Sequence, residues 1–362
     1  MVQAISQRAG ELACGQEQRL GRLALVQILG QSKTEPEYRL LSEDLLDSVV
    51  VTEISESGTV PELRITNNLD IRVLLIDGQE LIGAKQNRVL NTDVLVPAKT
   101  SLKLPVSCVE QGRWSYRAPR RQPGAGPKRD ISPHMFQPGK SAVFRTRQRK
   151  SRAVYHALKE MGAYDADQSA VWSEVAEELS SSGVPSATYS LHDLYLARQR
   201  ELDEFRKNLK LEDEAVGLAV FMEGRFQGLD IFDRHSTLAY YWEPLVDSYT
   251  ISLLNREDLT TNKPAEENKA DFPHNEREVL SGILDEAASA EWEGFQPPGE
   301  GRDYRLSKDT LAGSCLVFDE RIVLHEQLFH VEPDDHNEER IRQAYRGRLY
   351  RRFRSRRHRE QD

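Results

Sequence analysis

Between Ile76 and Pro97 the chain reads IDGQELIGAKQNRVLNTDVLVP, which places nine charged or carboxamide side chains among apolar residues: Asp77, Gln79, Glu80, Lys85, Gln86, Asn87, Arg88, Asn91 and Asp93. A turn between two strands does not need so many. A second run, PVSCVEQGRW from Pro105 to Trp114, adds Glu110, Arg113 and Trp114. Together these groups suit a nucleotide: a guanidinium clasps phosphate bidentately, carboxamides read a base or sugar edge, and an indole stacks. On that reading Arg88 and Arg113 hold phosphate, Gln86 and Asn87 read the sugar or base, Trp114 stacks, and Lys85 completes the ligand-binding set. Glu80 or Glu110 would be the general base of any hydrolysis, and as a pair they would suit cleavage of a glycosidic bond. The same residue types also describe a plainer arrangement, a satisfied polar network that pins loops.

Other candidates read more simply. Cys108 follows Leu102, Leu104 and Val106 at period two, which makes it a core thiol rather than a nucleophile. HEQLFH, from His325 to His330, has a His–His spacing of five where the helical zinc motif has four, and it falls in a strand pattern. Glu332 to His336, EPDDH, reads as an acidic turn. No metal is expected from these spacings, and no cofactor is read from the sequence. The three cysteines form no C-x-x-C pair, which argues against a disulfide framework or a Cys-built zinc site.

Charge is segregated along the chain. Residues 113 to 152 hold nine Arg and three Lys against one Asp, and residues 340 to 359 hold ten Arg and no acid. These islands carry +11 and +10, so a whole-chain charge of −9 leaves −30 on the remainder. An acidic body with two basic islands points to phosphate or nucleic-acid contacts, or to pairing of the islands with the body. No apolar run reaches the roughly 18 residues of a spanning helix, and the first residues lack a secretory-signal pattern, so a cytoplasmic protein with no membrane partner is expected.

The elements that must position the polar block are strands. VVVTEIS, ELRITN, IRVLLIDG, VLVP and TSLKLPVSC follow one another from about residue 48, punctuated by Gly, Asn, Asp and Pro. Pro105 marks the last as an edge strand or a bulge. Residues 115 to 140, rich in Pro, Gly and Arg, read as a long loop. Helices are expected from within the basic stretch, over about 167 to 180, from Ser190 behind a Ser190–Asp193 capping box, over about 236 to 254 and over about 275 to 292. AVGLAVFM and QGLDIF read as a hairpin around Glu223-Gly224, and three more strands follow near 303 to 327. The pattern predicts an α+β fold: an antiparallel β-rich N-terminal half, sandwich-like or curled, with helices and a second antiparallel sheet region in the C-terminal half.

The runs DGQELIGAKQNRVLNTDVLVP and LPVSCVEQGRW resemble the hallmark of the ARG-and-rhodanese-phosphatase-superfamily-associated protein domain family, and the hairpin VGLAVFMEGRFQGLDIFD with the helix through Trp242 is similar as well. The positions carrying the resemblance are Gly78, Glu80, Gly83, Lys85, Gln86, Asn87, Arg88, Cys108, Glu110 and Trp114. The family has no established activity; the resemblance implies a context of NAD and ADP-ribose metabolism, with binding or processing of such a nucleotide. It also implies one family-like domain over 18–332: a β-rich part at 18–114, the basic loop at 115–140, a helical part at 141–212 and a mixed part at 213–332. Residues 333–362 form an Arg-rich tail. Within it Ile341, Tyr345, Leu349 and Phe353 recur every four residues, the stripe of a helix set in Arg. That tail and the basic loop support a competing function, a non-enzymatic protein binding nucleic acid or an acidic partner through 340–359.

Overall fold

The computed structural model describes residues 2–55, 61–116, 132, 134–254 and 275–332. In chain order its first half holds α1 (Gln3–Gly10), β1 (Ala13–Leu20), β2 (Leu23–Leu29), β3 (Tyr38–Leu40), β4 (Val49–Glu53), β5 (Glu62–Asn67), β6 (Arg72–Leu75), β7 (Gln79–Gly83), β8 (Arg88–Leu90), β9 (Val94–Val96), β10 (Thr100–Cys108) and β11 (Phe136–Ser141). The second half holds α2 (Phe144–Met161), α3 (Gln168–Ser181), α4 (Leu191–Arg206), β12 (Ala215–Met222), β13 (Arg225–Phe232), α5 (His235–Leu254), α6 (Glu276–Ser289), β14 (Glu293–Phe295), β15 (Arg302–Ser307), β16 (Leu311–Phe318) and β17 (Ile322–His330). The fold is α+β, and among the described residues the strands form three sheets, with β3 and β6 as a parallel pair in otherwise antiparallel pairing.

The largest sheet runs β1-β2-β12-β13-β17-β16-β15-β14. Its first two strands come from the N-terminal segment, where periodicity gives no strand signal. The reason lies in the packing of β2. Ala24, Val26 and Ile28 face a core shared with α1 and α6, whereas Leu23 and Leu25 face a second core built on α5. Buried on both faces, LALVQIL shows no polar alternation. The β12–β13 turn matches its expectation: Glu223 and Gly224 both take positive φ, as a two-residue hairpin loop of the right twist requires.

The second sheet, β11-β7-β8-β10-β5-β4, curls until its edges meet, where Thr52 bridges Met135. It is a nearly closed barrel with an interior of Val49, Val51, Leu63, Ile65, Leu81, Leu90, Leu104 and Val106. Pro105 is not on an edge strand. Its strand pairs with β5 up to Pro105 and with β8 from Val106 onward, so the residue lacking an N–H sits where one pairing gives way to the other. The third sheet, β3-β6-β9, lies between the other two cores. Val73, Leu75, Val94 and Val96 join the barrel interior, and Leu74 and Leu95 join the α5 core.

Where the barrel side meets the large sheet, charged groups are buried together. Asp77 contacts Lys150 and accepts from Gln327 Nε2 at 2.7 Å. His325 lies between Asp93, 2.9 Å from Nδ1, and Asp230, 3.2 Å from Nε2, while Arg147 clasps Asp230. Burial pulls the His325 pKa down, but the two carboxylates outweigh it and hold the imidazole up at about 9. The folded value lies above the ordinary one near 6.5, so the stability this gives is full below that pH and is lost as pH rises through about 9. Glu326, pushed up to about 7 chiefly by burial, adds a fall of the same sign at lower pH. Urea midpoints measured from pH 6 to 10 are expected to decline in the wild type. The decline above pH 7 should flatten in His325→Asn; an equal slope in both would remove His325 as its source.

Candidate functional site

The β7–β8 hairpin sorts the polar block onto two faces. Opposed residues of an antiparallel ladder share a face, and Arg88 opposes Leu81 on one side and Cys108 on the other. Leu81 and Leu90 line the barrel, so Arg88 points inward with them. Glu80 opposes Val89, whose side chain packs against the helical core of α2, α3 and α4, and therefore points out of the barrel.

Inside the barrel mouth Arg88 is fully buried. Its Nη1 donates to Gln86 Oε1 at 2.8 Å, and its Nη2 stands 3.7 Å from Glu53 Oε1. Neither Nε nor Nη2 closes a hydrogen bond, and no side chain donates one to either oxygen of Glu53, which extends the inward row of Val49 and Val51. Burial pushes the Glu53 carboxyl up, with Arg88 and Lys85 opposing. The Trp114 ring lies over both cations, 5.7 Å from the Arg88 guanidinium and 5.3 Å from Lys85 Nζ, and Lys85 also faces Tyr116 at 5.1 Å. Trp114 is 47% exposed, an amphipathic lid over buried cations.

Glu110 and Arg113 lock the loops behind this mouth. Arg113 Nε and Nη2 donate to the two carboxylate oxygens at 2.8 and 2.6 Å, and each oxygen accepts a second bond, from Thr188 Oγ1 at 2.9 Å and from the Asn87 N–H at 3.1 Å. Burial alone would raise the Glu110 pKa, but the Arg113 contacts prevail and lower it. Arg113 spends its remaining donors on the carbonyls of Gly83, Ala84 and Ser115 and on Asn87 Oδ1. The expected phosphate clasp and general base are thus a mutual pair with every donor and acceptor engaged. Gln86 belongs to the same clamp through the Glu110 carbonyl, 2.8 Å from Nε2, and Asn87 Nδ2 reaches Ser190 Oγ at 3.4 Å. Cys108 is buried, its thiol 3.1 Å from Gln86 Oε1, and burial pushes its pKa up, away from thiolate chemistry.

On the outer face Glu80 meets His192 of α4, with Nδ1 3.5 Å from Oε2. Both are buried, and none of their four polar atoms makes a hydrogen bond. Burial lowers the imidazole pKa, and Glu80 more than restores it. The start of α4 is rebuilt around this region. Ser190 does not cap the helix; Ser186 Oγ accepts the Ser190 N–H at 2.9 Å and donates to Asp193 at 2.7 Å, the work a capping box was expected to do.

Glu53, Tyr116 and His192 were not among the expected site residues. Glu53 is the polar end of an alternating apolar strand and His192 is the second residue of α4, beside its apolar stripe, and neither pattern marks a site without the barrel closure and helix packing. Conversely, Asp77 and Asp93 leave the block for the buried seam, and Asn91 turns to Tyr164 and Ser107. His325 of HEQLFH is spent on that seam, while His330, at the strand's far end, stands 3.7 Å from Glu332. Residues 117–131 and 133 of the basic loop, and the whole tail from 333, lie outside the described residues. No helix among the described residues is long and apolar enough to cross a membrane. No curated protein and no solved structure matches the chain. A family model described as ARPP-1, ARG and Rhodanese-Phosphatase-superfamily-associated Protein domain, matches residues 11–329.

Proposed function

The chain belongs to the family of ARG and Rhodanese-Phosphatase-superfamily-associated Protein domains, and from that premise we propose that it binds an NAD-derived nucleotide, ADP-ribose or a close relative, at the mouth of the six-stranded barrel. One observation carries the reading: a fully buried Arg88 keeps two donor nitrogens without hydrogen bonds beneath a half-exposed indole. Buried guanidinium donors are nearly always satisfied, and a phosphate oxygen supplies what this one lacks. Lys85 adds a second cation under the same ring, and Trp114 offers a face to a base.

Recognition accounts for the geometry better than hydrolysis. Glu110 is held ionised and fully bonded, which makes it a weak general base. Glu80 keeps free lone pairs but faces α4, on the opposite side of the hairpin from Arg88. The test is a thermal-shift titration of the full chain with ADP-ribose, NAD and AMP. A ligand at a hundredfold excess over its dissociation constant raises stability by about 2.7 kcal/mol. Trp114→Ala is expected to weaken binding about tenfold through lost stacking, whereas Glu80→Gln should leave it unchanged. Absence of a shift with every nucleotide would end the proposal.

A further inference from the structure

From the barrel mouth we infer that the ligand is a ribonucleotide read through its ribose diol, and that Glu53 is the group that reads it. This rests on the nucleotide reading of the mouth and adds a specificity to it. Glu53 has a side chain 3% exposed, and neither carboxylate oxygen has a side-chain hydrogen-bond partner, the Lys85 backbone N–H being the one donor that works against burial there. It sits beside cations without being consumed by them: Arg88 Nη2 stops 3.7 Å away, longer than a hydrogen bond, and Arg88 instead gives Nη1 to Gln86.

Two oxygens of one carboxylate without side-chain partners, spaced for a pair of adjacent donors, match two vicinal hydroxyls. Arg88 and Lys85, adjoining the carboxylate, match the phosphate that follows a ribose, and Trp114 above them matches the base. A bare phosphate would leave Glu53 repelled and unpaired, and an aromatic acid would leave its oxygens dry; a ribose phosphate satisfies all three sets of groups at once. Glu110, the other carboxylate near the mouth, has no acceptor to spare, so the diol falls to Glu53.

The experiment compares ADP-ribose with its 2′-deoxy and 2″-deoxy counterparts on the full chain by isothermal titration. One of the two deoxy ligands is expected to bind at least about tenfold more weakly, the effect of one lost hydrogen bond to a charged group. That gap should collapse in Glu53→Gln, and in Glu53→Asp should the first variant fail to fold. Equal binding of all three ligands by the wild type overturns the inference while leaving nucleotide binding in place, as does a gap that persists in both Glu53 variants. No binding by any of the three overturns the inference together with the reading beneath it.

Discussion

Replacing Asp230 with Asn is expected to lower the unfolding free energy by about 3–5 kcal/mol, the usual effect of removing one member of a buried ion pair. Asp230 is fully buried among donors. Arg147 donates to both of its oxygens, His325 Nε2 stands 3.2 Å away and the Tyr249 hydroxyl 3.3 Å away. Burial alone would raise its pKa, yet Arg147 and His325 keep it below the usual carboxylate range. The amide of Asn keeps the shape and removes the charge, and its NH2 then faces a guanidinium and a protonated imidazole with Asp93, on the other side of the imidazole, left to balance both. Urea unfolding followed by circular dichroism measures the loss. A companion variant, Arg147→Met with Asp230→Asn, should lose less than the two single variants added together, because each single change strands the other charge. An Asp230→Asn midpoint within about 1 kcal/mol of wild type would mean that water reaches the seam and screens it.

Arg88→Met carries the largest expected effect on binding, a loss of about a hundredfold in affinity for ADP-ribose. Two charge-assisted hydrogen bonds to phosphate are at stake, each worth about 1.5–3 kcal/mol. Met keeps much of the side-chain volume inside the barrel, so packing changes little. The complication is Glu53, which loses the cation 3.7 Å from it. The double variant Arg88→Met with Glu53→Gln removes both charges and is expected to recover stability without recovering affinity. Affinity restored in the double variant would show that the single change acted through a destabilised mouth, and would remove Arg88 as a ligand contact.

The polar block was visible in the chain because polar residues are rare inside strand patterns, and the ten family-like positions, seven in the block and three in the run from Pro105 to Trp114, could be read directly. Its division was not visible. Glu80 and Arg88 are eight residues apart, and on a straight strand an even separation would place them on one face; the tight β7–β8 hairpin puts them on opposite faces, one toward α4 and the other into the barrel. Arg113, expected to hold phosphate, turned out to be bound to a carboxylate three residues away, a pairing that an irregular segment conceals because it has no period. Glu53 was legible as the end of a strand and illegible as a site residue, since the strand that brings Arg88 to it is reached only after the sheet curls.

The α+β class, most helices and the strands with one polar face are legible along the chain, since amphipathic periods and turn residues act within a few positions. Helices α3, α4 and α5 and strand β10 stand close to where their patterns place them. Contacts across the fold set the rest: the N-terminal hairpin completes the C-terminal sheet, Thr52 and Met135 close the barrel, and the buried charges find their partners. The difference is one of range. Burial on both faces erases alternation, and a buried charge chooses its partner by distance and desolvation across the fold rather than by spacing along the chain.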